Sequence, residues 1–305
     1  MVDTTAEFYT FKTEAAVRPV MYEDVLIATD GSGVATTAAE QGLSIAADLE
    51  ARTHLLSVVE VPRGSRRADG HDRRRDDARL YVEELAAEAR DRGVPVETVV
   101  RDGDPVRAVL AYADEADVDL LVLGTRGRSD VERLLLGSVA LAVIRDSTRP
   151  VLTVNPSVDA VSRRIDEIAV ATDGRPGSSA AISQAIGLAE AYDAELRAVS
   201  VVDDSRTRAE AALESFEQAA DAATKDVAVR AADRGVGTVR SVVRGRPADE
   251  LLAYADAHGV DLLVLGVEGR RGLERLVVGS VSQRVVSAAP TPVLTVRTLE
   301  DVSLG

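Results

Sequence analysis

AYADEADVDLLVLGTRGRSDVERLLLGSVA, residues 111–140, returns as AYADAHGVDLLVLGVEGRRGLERLVVGSVS at 253–282. In both, DLLVL is an apolar run too short for a helix and ends at a glycine. Gly124, Gly127, Gly137 and Ser138 stand 142 residues ahead of Gly266, Gly269, Gly279 and Ser280. Neighbours change, Thr125 to Val267 and Ser129 to Arg271, while these four positions hold. That pattern favours a constraint on the glycines and the serine over simple copying.

Outward from this stretch the repeat continues. VLIATDGSG (25–33) matches IAVATDGRPG (168–177), with Asp30 against Asp173 at an offset of 143. HLLSVVEV (54–61) matches LRAVSVVDD (196–204) at that offset. VVRDGDP (99–105) meets VVRGRP (242–247), one residue shorter, and RPVLTVNP (149–156) then meets TPVLTVRT (291–298) at 142. One deletion explains the whole drift, so the chain is a tandem duplication.

Each copy alternates short apolar runs with helical spacing. VLIAT, LLSVV, VETVV, DLLVL and PVLTV are β-branched or leucine-rich and nearly continuous, as strands of a parallel sheet covered on both faces must be. Ala39, Gly42, Leu43 and Ala46, like Ile182, Ala185, Ile186 and Ala189, follow i, i+3, i+4, i+7 spacing and predict helices. Five strands joined by helices through right-handed crossovers give an α/β fold of two tandem doubly wound domains. The predicted domains are 21–155 and 164–298, linked near NPSVDAVSR (155–163). Residues 1–20 belong to neither copy and read equally as a disordered tail or a docking strand.

Composition excludes several functions. Over 305 residues, 51 acidic side chains face 36 basic ones, a net charge of −15, which opposes nucleic-acid binding. Lys12 and Lys225 are the only lysines, so the other 34 bases are arginine. Such acid-rich, lysine-poor and aromatic-poor usage resembles that of salt-in halophiles; an acidic mesophilic protein with arginine-biased codons is the alternative. There is no cysteine, which removes disulfide and thiolate chemistry. His54, His71 and His258 are too scattered to form a close zinc-ligand pair. No membrane-spanning run and no signal-peptide pattern appear, so a cytoplasmic protein without membrane association is expected. The arginine- and aspartate-rich RGSRRADGHDRRRDDAR (63–79) reads as a solvated loop entering a helix, with an anion-binding lid as the alternative.

The glycine stretch has a chemistry of its own. Gly124 and Gly127 permit positive φ and let the backbone approach a ligand closely. Gly137 and Ser138 open a helix whose buried face is expected to carry Val139, Ala142 and Val143. The free N–H groups of a helix start, with the Ser138 hydroxyl, form an anion site. Gly279 and Ser280 repeat it.

With these motifs in hand, the chain resembles the universal stress protein family, two such domains in tandem. The resemblance rests on TDG, on SVVE and SVVD, on DLLVLG, on the complete G-x2-G-x9-G-S and on PVLTV. It implies five parallel strands per domain in the order 3-2-1-4-5, so that strands 1 and 4 flank the ligand-binding crevice. It also implies the ATP-binding branch of the family, with Mg2+ carried on the nucleotide. By position, Asp30 would meet the ribose or a Mg2+ ion and Val58 would read the adenine edge through its backbone. Gly124 and Gly127 would line the inner phosphates, and Gly137, Ser138 and Val139 would hold the terminal ones. Asp173, Val201, Gly266, Gly269, Gly279, Ser280 and Val281 are the counterparts in the second copy. Glu268, where the first copy has Arg126, is expected to weaken the second site. The resemblance further implies that the two PVLTV strands pair within the chain, with a homodimer of chains as a further level.

Three functions follow. One is an ATP-binding stress or signalling protein whose nucleotide alters conformation or partners. The second is a slow ATPase or a nucleotidyl- or phosphoryl-transferring relative. The third is a dimerisation module that binds nothing. There is no Walker motif, and no histidine or convergent carboxylate pair stands out as a base, so any turnover should be slow.

Overall fold

The computed structural model describes residues 22–60, 70–126, 136–158, 164–206, 209–267 and 278–298. The first half runs β1 (Asp24–Ala28), α1 (Gly33–Asp48), β2 (Arg52–Val59), α2 (His71–Asp91), β3 (Val96–Asp102), α3 (Pro105–Glu115), β4 (Leu120–Gly124), α4 (Ser138–Asp146) and β5 (Val151–Val154). The second half repeats it as β6 (Glu167–Ala171), α5 (Ser179–Tyr192), β7 (Glu195–Val202), α6 (Glu210–Ala232), β8 (Thr238–Arg244), α7 (Pro247–Ala257), β9 (Leu262–Val267), α8 (Ser280–Ala288) and β10 (Val293–Arg297). A short 3-10 turn, Pro176–Ser178, precedes α5.

All ten strands form one sheet, in the order β3-β2-β1-β4-β5-β10-β9-β6-β7-β8. Neighbours within each half are parallel, and β5 meets β10 antiparallel with Leu152 opposite Leu294. Side chains alternate between the faces, as strand geometry requires. Val25, Ile27, Leu120 and Val122 join the core under α1 and α2, which continues under α5 and α6. Leu26, Leu121 and Leu123 join the core under α3 and α4, which continues under α7 and α8. Apolar residues on both faces are why these runs lack polar alternation.

VETVV departs from that expectation. It forms β3, but at the margin of the sheet, and no residue of β3 is fully buried. Its polar positions Glu97 and Thr98 fit an edge that must stay wet. Helix starts are locally encoded: Asp104 caps α3 by accepting from the Arg107 N–H at 3.0 Å, with Pro105 in the first turn. Ser32 caps α1 by accepting from the Ala35 N–H at 3.3 Å.

Where the halves meet, the contacts are reciprocal. Thr153 Oγ1 donates to Val293 O at 3.2 Å, and Thr295 Oγ1 donates to Val151 O at 3.1 Å. Asn155, only 2% exposed, sends its amide to Val286 O and Ala289 O at 3.3 and 2.7 Å, satisfying carbonyls at the end of α8 in the other half. Asn155→Ala strands those carbonyls, so the unfolding free energy in urea is expected to fall by about 1–3 kcal/mol. An unchanged transition midpoint would mean that the cap contributes nothing across this seam.

Candidate functional site

The crevice forms because β1 and β4 are neighbours whose following helices leave to opposite faces. Ala28 lies beside Leu123, α1 packs on one face, and α4 packs on the other. Backbone beyond the strand tips is therefore pulled apart, and a cleft of about 400 Å³ opens there. Asp30, Val58, Gly124, Gly137, Ser138 and Val139 all line it. Residues nearly a hundred positions apart thus share one wall.

The aspartate is held by its own turn. Gly31 N–H donates to Thr29 Oγ1 at 3.1 Å, and Ser32 N–H donates to Asp30 Oδ1 at 3.0 Å. Gly31 sits at φ +73°, the left-handed region that glycine enters without strain. The same turn recurs at Thr172, Gly174 and Arg175, with Gly174 also at +73°. Asp173 is more exposed than Asp30, and its carboxylate lies 3.5 Å from Arg175 Nε.

Gly124 needs to be glycine for a reason other than the one its motif suggests. Its φ is not positive; it is the last residue of β4, paired with Val154. A Cβ there would lie 3.1 Å from Ala35 N and 3.0 Å from Val34 Cγ1, so the demand comes from the start of α1 packing against the strand. At Gly266 the demand is stricter, since a Cβ would lie 2.5 Å from Gly177 O.

Gly137 stands at an open helix start. It is the N-cap of α4 at φ −60°, ψ 147°, and no side chain caps the helix. Ser138, Val139 and Ala140, the first turn of α4, line the cleft, and a helix start carries free N–H groups and the positive pole of the helix. The Gly137 N–H is spent on Thr125 O at 2.8 Å, which closes the base of the loop and fixes where α4 begins. Gly279 caps α8 with the same dihedral angles, and Ser280 and Val281 follow it. The buried face of α4 is carried by Ala140, Val143 and Ile144, one step from the expected register. Val139 and Ala142 are only half-buried, because Val139 faces the cleft. Gly127, Gly269 and Glu268 lie outside the described residues.

The structure adds residues that the motifs did not flag. Residues 71–79 of the arginine-rich stretch are the opening of α2, and Arg74, Asp77 and Tyr81 from that helix line the cleft. Asp30, Glu60 and Asp77 are all lining residues, a gathering of carboxylates that separate segments of sequence could not disclose. Among the described residues, no group of three or more His, Asp or Glu side chains is placed to hold a metal ion. His54 serves the core: its Nε2 lies 2.9 Å from Asp24 Oδ1 and its Nδ1 lies 2.8 Å from the Tyr112 hydroxyl. No helix among the described residues is long and apolar enough to cross a membrane.

Comparison with known proteins agrees with this architecture. The model of the universal stress protein family matches residues 21–155 and again 164–297. A universal stress protein of Methanocaldococcus jannaschii is 36% identical over 140 residues, covering 44% of this chain and 82% of its own. One from Mycobacterium tuberculosis is 33% identical over 222 residues, covering 70% of this chain and 73% of its own. Among solved structures, a universal stress protein from Archaeoglobus fulgidus superposes with a TM-score of 0.68, covering 90% of this chain and 98% of that one at 22% identity.

Proposed function

Because the chain belongs to the universal stress protein family, we propose that it is an ATP-binding stress or signalling protein in which bound nucleotide alters conformation or partner choice. One observation carries this reading. The uncapped start of α4 and the carboxylate of Asp30 face one cleft, the first suited to phosphate and the second to ribose hydroxyls. A cleft of about 400 Å³ is within the size range of small-molecule sites.

In this reading Ser138, Val139 and the glycines at 124, 127 and 137 surround the phosphates, Val58 offers backbone to the adenine edge, and Asp30 meets the ribose. Asp173, Val201, Gly266, Gly269, Gly279, Ser280 and Val281 take the same parts in the second half. A magnesium ion would arrive on the nucleotide and offset phosphate charge, with Asp30 or Asp173 as its nearest carboxylate. The β5–β10 pairing of the halves stands in for a homodimer, so one chain carries two sites about a pseudo-twofold axis.

Acid-quenched protein should release adenine nucleotide, identified by chromatography and counted per chain. Asp30→Ala is expected to lower ATP affinity about tenfold by titration calorimetry, the loss of one charged hydrogen-bonding partner. Protein that carries no nucleotide and shows no heat with ATP and magnesium would reject the proposal in favour of a dimerisation module.

A further inference from the structure

Helices α2 and α6 are related by the duplication, and their buried faces fix the register between them. Ala78, Val82, Leu85 and Ala89 in α2 correspond to Ala220, Thr224, Val227 and Ala231 in α6, all buried. This register, an offset of 142 where the strands before it keep 143, sets the missing residue ahead of the buried stretch of α6 and places Phe216 where the first half has Arg74, Ala219 where it has Asp77, and Ala223 where it has Tyr81. A contact confirms this register. A Cβ on Gly31 would lie 2.6 Å from the Tyr81 ring, and a Cβ on Gly174 would lie 3.2 Å from Ala223 Cβ.

The two walls therefore differ in chemistry. In the first half, Arg74, Asp77 and Tyr81 give the cleft a cation, a carboxylate and an aromatic ring seated beside Asp30. In the second half the three corresponding positions, Phe216, Ala219 and Ala223, are apolar. Leu213 packs with Val202 and Ala220 as a small separate cluster, and Phe216 is 44% exposed. Asp173 is drawn toward Arg175, and Ser178 Oγ is tied to Arg175 O at 2.8 Å in the 3-10 turn that replaces the start of α1. None of these differences falls on the glycine motif, which is the same in both halves.

We propose that the two clefts are unequal, with the α2 wall making the first the high-affinity nucleotide site. Arg74 and Tyr81 are its specificity-determining residues. This rests on the nucleotide reading of the first cleft. Arg74 stands at the mouth, where a guanidinium attracts the anionic end of the ligand and forms charge-assisted hydrogen bonds. Tyr81 supplies a rigid flat surface next to Gly31. Asp77 favours hydroxyl or amine donors at its position over a second phosphate. In the second half Phe216, Ala219 and Ala223, at the positions of Arg74, Asp77 and Tyr81, carry no charge for the ligand to meet.

The test is calorimetry with ATP and magnesium on the full chain. Ser280→Glu isolates the first cleft and Ser138→Glu isolates the second. The first is expected to bind at least tenfold more tightly. In the Ser280→Glu background, Arg74→Phe with Tyr81→Ala should cost roughly tenfold or more. Arg74→Phe alone should flatten the salt dependence of affinity, because the lost contact is ionic. Tyr81→Phe keeps the ring on Gly31 and should retain most of the affinity, which separates a lost surface from a lost fold. In the Ser138→Glu background, Phe216→Arg with Ala223→Tyr should tighten binding. Equal affinities in the two isolated clefts, or an Arg74→Phe/Tyr81→Ala variant within twofold of its parent, would overturn this proposal alone. Absence of ATP binding by the unaltered chain would overturn the nucleotide reading and this proposal with it.

Discussion

Ser138→Glu is expected to lower the first cleft's affinity for ATP by about a hundredfold without unfolding the protein. Ser138 is the first residue of α4, directly after the glycine cap. A carboxylate there suits the helix itself, since negative charge in the first turn adds about 0.3–1 kcal/mol of stability. It does not suit a phosphate on the same N–H groups. Two like charges about 4 Å apart repel by roughly 4 kcal/mol at an effective dielectric near 20. Ser138 is exposed, so water and salt reduce this to about 2–3 kcal/mol, or roughly a hundredfold in affinity. The two readouts move in opposite directions. Calorimetry should show the loss of affinity, while the thermal midpoint stays level or rises. Unaltered ATP affinity would place the phosphates elsewhere.

Gly266→Ala is expected to cost about 3 kcal/mol of folding stability, and its twin Gly124→Ala about 1 kcal/mol. The difference lies in what the new methyl meets. At Gly266 it meets Gly177 O at 2.5 Å, and that carbonyl is held in place by the Thr298 hydroxyl at 3.0 Å. Backbone fixed by a hydrogen bond cannot swing aside. At Gly124 the nearest atom is Val34 Cγ1 at 3.0 Å, a side chain that can rotate, with Ala35 N next at 3.1 Å. Pro156 stands where the second half has Thr298, so it offers no hydroxyl for the same tether. Urea unfolding of the two variants measures this directly. Equal losses would show that the Thr298 contact does not stiffen the turn. The comparison also separates two kinds of glycine in the motif: Gly124 and Gly266 let a helix approach a strand, and Gly137 and Gly279 leave a helix start uncapped.

The architecture was legible in the sequence because burial leaves a pattern along a single segment. VLIAT, DLLVL and PVLTV are nearly continuous apolar runs because β1, β4 and β5 are covered on both faces. Ala39, Gly42, Leu43 and Ala46 recur at helical spacing because one side of α1 is buried. Duplication fixed the number of units. The acid of TDG and the GS pair were also readable, since a tight turn and an uncapped helix start each need particular residues at adjacent positions.

What the sequence withheld concerns atoms brought together from separate segments. Tyr81 and Gly31 touch across fifty positions, and nothing in the spacing of either distinguishes that tyrosine from an ordinary helix residue. Arg74 looked like one more charge in a solvated run until α2 set it at the mouth of the cleft. The role of Gly124, the step in the α4 register that turns Val139 to the cleft, and the contrast between Arg74 and Phe216 all depend on how helices sit against strands. Local pattern records whether a residue is buried; which residues it meets is settled when the crossovers close and the packed layers choose their neighbours.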